Sequence, residues 1–445
     1  MRASLVLAAG LALALLAPAD GATAGNRVVP GRGTFPRWAT LSTPTPVPVR
    51  WLTALPSRQI AALDREGTLW VHEVRRGGLV SVARFGEVAS PEVPPVTATL
   101  DAERAGLALV TRDGRLALRV DGSLRSHDVG TPLSLLAALR PVWLPGTIGQ
   151  ILLAVAADGA VVLVGGLDSG PKVLARAEVR ALPDARISVA DLDGEGGVDA
   201  VVLSDPSDRR PHGALGDRLE AASVTVLQVR AGSLAVRGKY AAPAPAVVED
   251  VGVLTAPILP RTRPVVLLAR STPEHGTALL GLALREGRLL PVAESPPAGE
   301  GNRWIHAVAV ADLYRADGAE VVAVRAPHSG GMLTAYRLRG TSLVPIAEAT
   351  GYGSHALGSR NLEQASVADL DGNGRPEVVL PRQSRETVAG LELQGERFVE
   401  RWSLGLRSQL HSNLLVADLD GDGLLDLALA DRARLHVFLS APAAR

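Results

Sequence analysis

The chain has no cysteine, which excludes disulfides, thiol nucleophiles, thiolate-bound metals and any lipid anchor that needs a cysteine at its cleavage site. Neither sign of charge is in excess, because Lys+Arg and Asp+Glu both total 46. The basic surplus that nucleic-acid binding requires is missing, so nucleic acid is not expected as a partner. Lysine is nearly absent, with Lys172 and Lys239 the only two. Aromatics make up 3% of the chain, and the strand positions of Trp51, Trp70, Trp143 and Trp402 predict that they pack between sheets. There is no GxSxG elbow, no HExxH and no glycine-rich phosphate loop opening a helix, so no local catalytic motif is present. Past the N-terminus no apolar run is long enough for a membrane span.

What is present begins with residues 1–24, where Arg2, the stretch LVLAAGLALALLA and an Ala22-Thr23-Ala24 exit read as a secretory signal peptide cleaved near Ala24. Its expected consequence is export, to the periplasm or beyond the cell. Residues 25–47 hold a strand-like WATLS and a proline-rich TPTPVPV. The remainder, 48–445, carries no Ser/Gly-rich or charged linker, so a repeat architecture accounts for the length better than several unrelated domains.

The repeat is anchored on DLDGDGLLD, Asp418 to Asp426. Asp418, Asp420, Asp422 and Asp426 crowd four carboxylates into nine residues, and a bound cation would relieve their mutual repulsion. Ligands at loop positions 1, 3, 5 and 9, with a backbone carbonyl at 7, suit a hard cation, and Gly423 permits the turn at position 6. Calcium is the expected ion. An EF-hand is excluded, because position 12 is Leu429 where that motif needs a bidentate Glu, and the flanks read as strands. Val202 and Leu380 stand at position 12 of two further copies, DLDGEGGVD from Asp191 and DLDGNGRPE from Asp369. A decayed copy starts at Asp312, where Tyr314 and Ala316 replace two ligands, and no tight metal site is expected there.

Each loop lies between apolar strand-like runs, and two more strands follow around a hairpin such as Gly340 or Gly395. Four further segments, starting at Trp51, Thr97, Pro141 and Ala246, keep this rhythm without the carboxylates. Eight anchors predict an all-β single propeller of eight four-stranded blades, with seven as the alternative. The last copy has three strands, so a strand from the N-terminal segment is expected to complete it and close the ring.

The three strong loops in this setting resemble the FG-GAP/VCBS repeat family, the integrin α-like β-propellers, in a bacterial exported form. The resemblance implies calcium held by Asp191, Asp193, Glu195 and Asp199 with the Gly197 carbonyl. In the second loop it implies Asp369, Asp371, Asn373 and Glu377 with Arg375, and in the third Asp418, Asp420, Asp422 and Asp426 with Leu424. The Glu195 loop should be the weakest, since Glu is longer than Asp at a crowded position.

The functional expectation is a calcium-binding scaffold that binds a protein or glycan and is not an enzyme. The alternative is a propeller hydrolase or lyase acting on a polysaccharide or phosphoester at the mouth of the ring. In a meander the metal loops lie at one end and the segments entering each first strand at the other. Those entry segments are long and polar, which directs Arg303, Trp304, His306, Tyr352, His355, Arg360, Arg407 and His411 toward one mouth as a candidate binding face.

Overall fold

The computed structural model describes residues 39–440 apart from 102, 212, 302 and 314–317. The expected signal peptide and the Tyr314 and Ala316 positions lie outside the described residues. All regular elements described are strands. They form four-stranded antiparallel meanders: blade 1 (49–85), blade 2 (96–127), blade 3 (140–177), blade 4 (188–241), blade 5 (247–294), blade 6 (305–350), blade 7 (366–405) and blade 8 (415–439). Blades 4, 5 and 6 count as one twelve-stranded sheet only through two single-residue bridges, Ala221 to Val248 and Glu294 to Ser342.

Blade 8 supplies three strands from the C-terminal end of the chain, and its fourth is Ala39–Pro44. That strand runs antiparallel to Arg434–Leu439, from Ala39 opposite Leu439 to Pro44 opposite Arg434. The ring is therefore closed by strands from both termini, as expected. On the inner side the Asn413 carboxamide adds a second fastening, accepting from Leu52 N–H at 2.7 Å and donating to the Leu52 carbonyl at 3.1 Å.

The sequence makes blades because the middle strands are apolar on both faces while the outer strands alternate. Ile151–Val155 and Val161–Gly165 are wholly buried, whereas Ser233–Ala241 alternates toward solvent. Burial on both faces requires a neighbour on each side, and apolar clusters fill every junction around the ring. At the last one Leu52, Ile60 and Ala62 of blade 1 pack on Leu419, Ala428 and Ala430 of blade 8. Gly340 and Gly395 take the left-handed backbone (φ 62° and 65°) at their hairpins.

Trp51 and Trp402 are fully buried as expected. Trp143 is a correction: it is 44% exposed, because it follows the very short strand Arg140–Val142 into an open loop. Trp70 is half-buried, with the Arg84 guanidinium 5.1 Å from its ring centre.

Candidate metal centre and the opposite mouth

Three loops of blades 4, 7 and 8 join a three-residue first strand to a buried second strand, and they share one frame. The residue before position 1 pairs with position 9 every time: Ala190 with Asp199, Ala368 with Glu377, Ala417 with Asp426. The position-2 leucine is buried, and its N–H donates to the position-9 carboxylate, from Leu192 at 3.1 Å, Leu370 at 2.9 Å and Leu419 at 2.8 Å. Position 1 accepts from the N–H of position 6, with Gly196, Gly374 and Gly423 at 2.9, 2.7 and 3.0 Å. Glycines at both positions 4 and 6 have positive φ, between 70° and 88°, so the loop turns twice where a side chain would be strained.

This backbone brings the carboxylates of positions 1, 3 and 9 together. Asp191, Asp193 and Asp199 form one trio, Asp369, Asp371 and Glu377 a second, and Asp418, Asp420 and Asp426 a third, with one oxygen from each residue within 4.8 Å of the others. These acidic clusters could hold a metal ion. Position 5 stays outside the trios: Glu195, Asn373 and Asp422 are exposed. The carboxamide oxygen of Asn373 and a carboxylate oxygen of Asp422 accept from the N–H of Arg375 and Leu424 at position 7. Gly197 lines a cleft of about 310 Å³ that also touches Asp193, Glu195 and Asp199.

The donor set fits a hard cation on two grounds. Asp369 Oδ1 and Glu377 Oε1 are buried without a hydrogen-bond partner, an arrangement that leaves costly unsatisfied oxygens unless something positive sits between them. Burial first, with the nearby charges of Asp371 and Asp369 adding to it, pushes Glu377 up to about 9. Burial likewise pushes Asp426 up to about 6 and raises Asp199 and Asp420. All three trios are oxygen-only, which suits calcium or magnesium better than zinc or copper.

At the opposite end, the segment between blades 6 and 7 crosses the mouth. Gly358 N–H donates to the Ala214 carbonyl at 2.9 Å, Asn361 Nδ2 to the Arg50 carbonyl at 3.1 Å, and Gln364 Nε2 to the Ser412 carbonyl at 3.1 Å. The segment thus touches blades 4, 1 and 8 in turn. Arg360 donates to Asp184 at 2.8 Å and also to Asp217, while Arg186 bonds Glu363 and the Arg360 carbonyl. Beneath it Ala214, Leu215, Val251, Trp304 and Leu362 form an apolar plug.

The structure brings Trp304, His306 and His355 together here and buries them, with the half-buried His328 alongside. Ser354 Oγ bridges His306 Nδ1 at 2.9 Å and His355 Nδ1 at 3.0 Å, and the two imidazole centres are 5.1 Å apart. Asp250 Oδ2 lies 4.0 Å from His306 Nε2. Burial pushes His306 down to about 3, which keeps the imidazole neutral, and pushes Asp250 up to about 7, so that its carboxyl titrates around neutral pH. Tyr352 is instead buried with its hydroxyl donating to Glu400 at 2.6 Å. His411 is half-buried and donates from Nδ1 to the Val49 carbonyl at 2.8 Å, while Arg303 and Arg407 are exposed.

Sequence reasoning missed the position-2 leucines, the position-4 glycines, Ser354, Asp250 and two arginines of fourth strands, Arg237 and Arg401, which donate to Asp193 at 2.6 Å and to Asp371 at 3.2 Å. The leucine and the first glycine recur in all three loops, so repeat alignment was signal enough. The others are set by packing between distant segments.

No family model and no curated protein matches the chain. Solved structures do. The chain is similar to Sqt1 of Saccharomyces cerevisiae (TM-score 0.52, 10% identity, 93% of this chain and 100% of that one). It is similar to the Dos1 propeller (TM-score 0.54, 10% identity, 91% and 95%). A third likeness is to the quinohemoprotein alcohol dehydrogenase ADHIIG of Pseudomonas putida HK5 (TM-score 0.50, 10% identity, 94% and 80%). At this identity the likeness speaks to fold alone, and with the strand topology it makes the chain a β-propeller.

Proposed function

We propose that this is an exported β-propeller of the FG-GAP/VCBS type, stabilised by calcium at the trios of blades 4, 7 and 8, that serves as a protein- or glycan-binding scaffold. The observation that carries the reading is the repeated frame: three loops put the same three carboxylates at the same register, and in blade 7 two buried oxygens lack a partner. Where a cation binds, positions 1, 3 and 9 hold it and the charge penalty of the cluster disappears. The exposed residues of the segments entering the first strands, Arg303, Arg407 and the 70% exposed Leu357, give a partner a mixed basic and apolar surface. The hydrolase or lyase reading has less support, because the histidines that would serve it lie under the plug.

The test is a pair of melting curves, one with calcium and one with chelator, followed by capture from a native envelope fraction. Chelation is expected to lower the melting temperature, and Asp418→Ala with Asp420→Ala to remove one blade's share of the response. Identical curves would reject the metal reading. Capture that is unchanged by Arg303→Ala with Arg407→Ala would move the binding surface away from the mouth.

A further inference from the structure

The described ends of the decayed loop of blade 6 keep two features of the other three. Ala311 pairs with Glu320, and the Leu313 N–H donates to Glu320 Oε2 at 3.1 Å. Glu320 is fully buried, so its second oxygen needs a positive partner. It has one. Arg337 on the third strand donates to Glu320 Oε1 from Nε at 3.0 Å and also from Nη2. In blade 7 the corresponding oxygen, Glu377 Oε1, has no hydrogen-bond partner.

The position of Arg337 explains the difference. Val321 pairs with Tyr336, so Glu320 and Arg337 come one step beyond that pair, across from each other. The same cross-strand place holds Gln228 opposite Asp199 in blade 4 and Glu392 opposite Glu377 in blade 7. Blade 8 has Leu439 there, one step beyond the pair of Leu427 with Phe438. Of these four side chains only that of Arg337 is a cation long enough to reach the carboxylate. A guanidinium carries a permanent charge and a rigid fork of donors, so it can neutralise a buried carboxylate.

We infer that Arg337 is a built-in cation for blade 6, neutralising the buried position-9 carboxylate as a metal would in blades 4, 7 and 8, and that the residue opposite position 9 decides whether a blade depends on metal. Within the trios Arg237 and Arg401 reach only the position-3 aspartates, Asp193 and Asp371. This rests on the calcium reading for blades 4, 7 and 8, but the Arg337 arm of the test does not need it.

The decisive experiment transplants the arginine. Gln228→Arg places a guanidinium opposite Asp199, and calcium binding is counted by titration calorimetry while melting is followed in calcium and in chelator. The expected result is one calcium fewer per chain and a higher melting temperature in chelator. Unchanged stoichiometry, or a lower melting temperature in chelator, would overturn the inference. Because the added side chain could be poorly accommodated, Arg337→Gln provides an independent arm. It is expected to lower the melting temperature by the same amount in both buffers, and Glu320→Leu with Arg337→Leu to recover most of the loss, since an apolar pair can replace a buried ion pair. A loss from Arg337→Gln that calcium fully restores would overturn the inference as well. If the parent chain bound no calcium at all, the metal reading would fall while the Arg337 result still stood on its own.

Discussion

Changing Glu377 to Gln should stabilise the protein strongly in chelator and much less in calcium. Glu377 is fully buried, it faces Glu392 in the register, and Asp369 and Asp371 present oxygens within 4.8 Å. Two charges at that separation repel by about 3.5 kcal/mol at an effective dielectric constant of about 20. The protein avoids this by keeping Glu377 protonated, since its carboxyl is pushed from 4.5 up to about 9. At pH 7.5 that protonation costs about 4 kcal/mol, from roughly three pH units at about 1.36 kcal/mol each. A glutamine removes the penalty and keeps an oxygen for the Leu370 N–H, so in chelator the variant should be the more stable. The sign follows from the raised pKa: the favourable contribution of Glu377 is complete below about 4.5 and is lost as pH rises through about 9, so the advantage of Gln should vanish near pH 4.5. In calcium at about a hundred times its dissociation constant the parent gains about 2.7 kcal/mol that the variant forgoes, so the advantage of Gln should shrink to about 1 kcal/mol. With an unfolding entropy of about 2.1 cal/mol/K per residue over roughly 400 residues, upward shifts of about 5 °C in chelator and about 1–2 °C in calcium are expected by scanning calorimetry. Equal shifts in both buffers, or a lower melting temperature in chelator, would refute the argument.

Gly390→Ala should destabilise blade 7 by about 1–3 kcal/mol in either buffer, because the new Cβ would stand 2.2 Å from Cε2 of the fully buried Trp402; loss of tryptophan fluorescence intensity at a lowered melting midpoint reads it, and an unchanged midpoint would show that Trp402 can move. Asp250→Asn should make the protein acid-sensitive. In the parent chain the contribution of His306 falls as pH drops from 6.5 toward about 3, while that of Asp250 rises as pH drops through about 7 toward 3.8, and the two offset. Without Asp250 the histidine side acts alone, with about 2 kcal/mol lost by pH 5 relative to neutral pH. Parallel melting-against-pH curves for the variant and the parent would contradict the pairing.

Much of the fold was legible because its signals are local and repeated. The carboxylates at positions 1, 3 and 9 and the glycine at position 6 mark three loops, and apolar runs at regular spacing mark the blades between them. The three-stranded last copy pointed to the missing strand at the other end of the chain. What stayed hidden depends on where side chains aim. Nothing local shows that Glu195 and Asp422 remain exposed, or that Arg337 stands across from Glu320, since both follow from register between strands. The mouth was harder still. Trp304, His306 and His355 read as rim residues by position, yet the 351–365 segment and Leu215 from another blade cover them. Tyr352 entered the same list by spacing and belongs to the packing between blades 6 and 7.

The pairing of Ala39–Pro44 with Arg434–Leu439 also governs the order in which the molecule can be assembled. A chain delivered from its N-terminus has the first of these strands in hand from the start and must hold it unpaired until the last blade arrives. Meanwhile Leu52, Ile60 and Ala62 on blade 1 wait for Leu419, Ala428 and Ala430. Contacts between such distant segments are slow to form, so ring closure is the natural final step. A chain cut short before blade 8 keeps an open sheet edge and an uncovered apolar face, which are the features that quality-control proteases and chaperones bind. Completeness of synthesis is thereby written into the surface of the product.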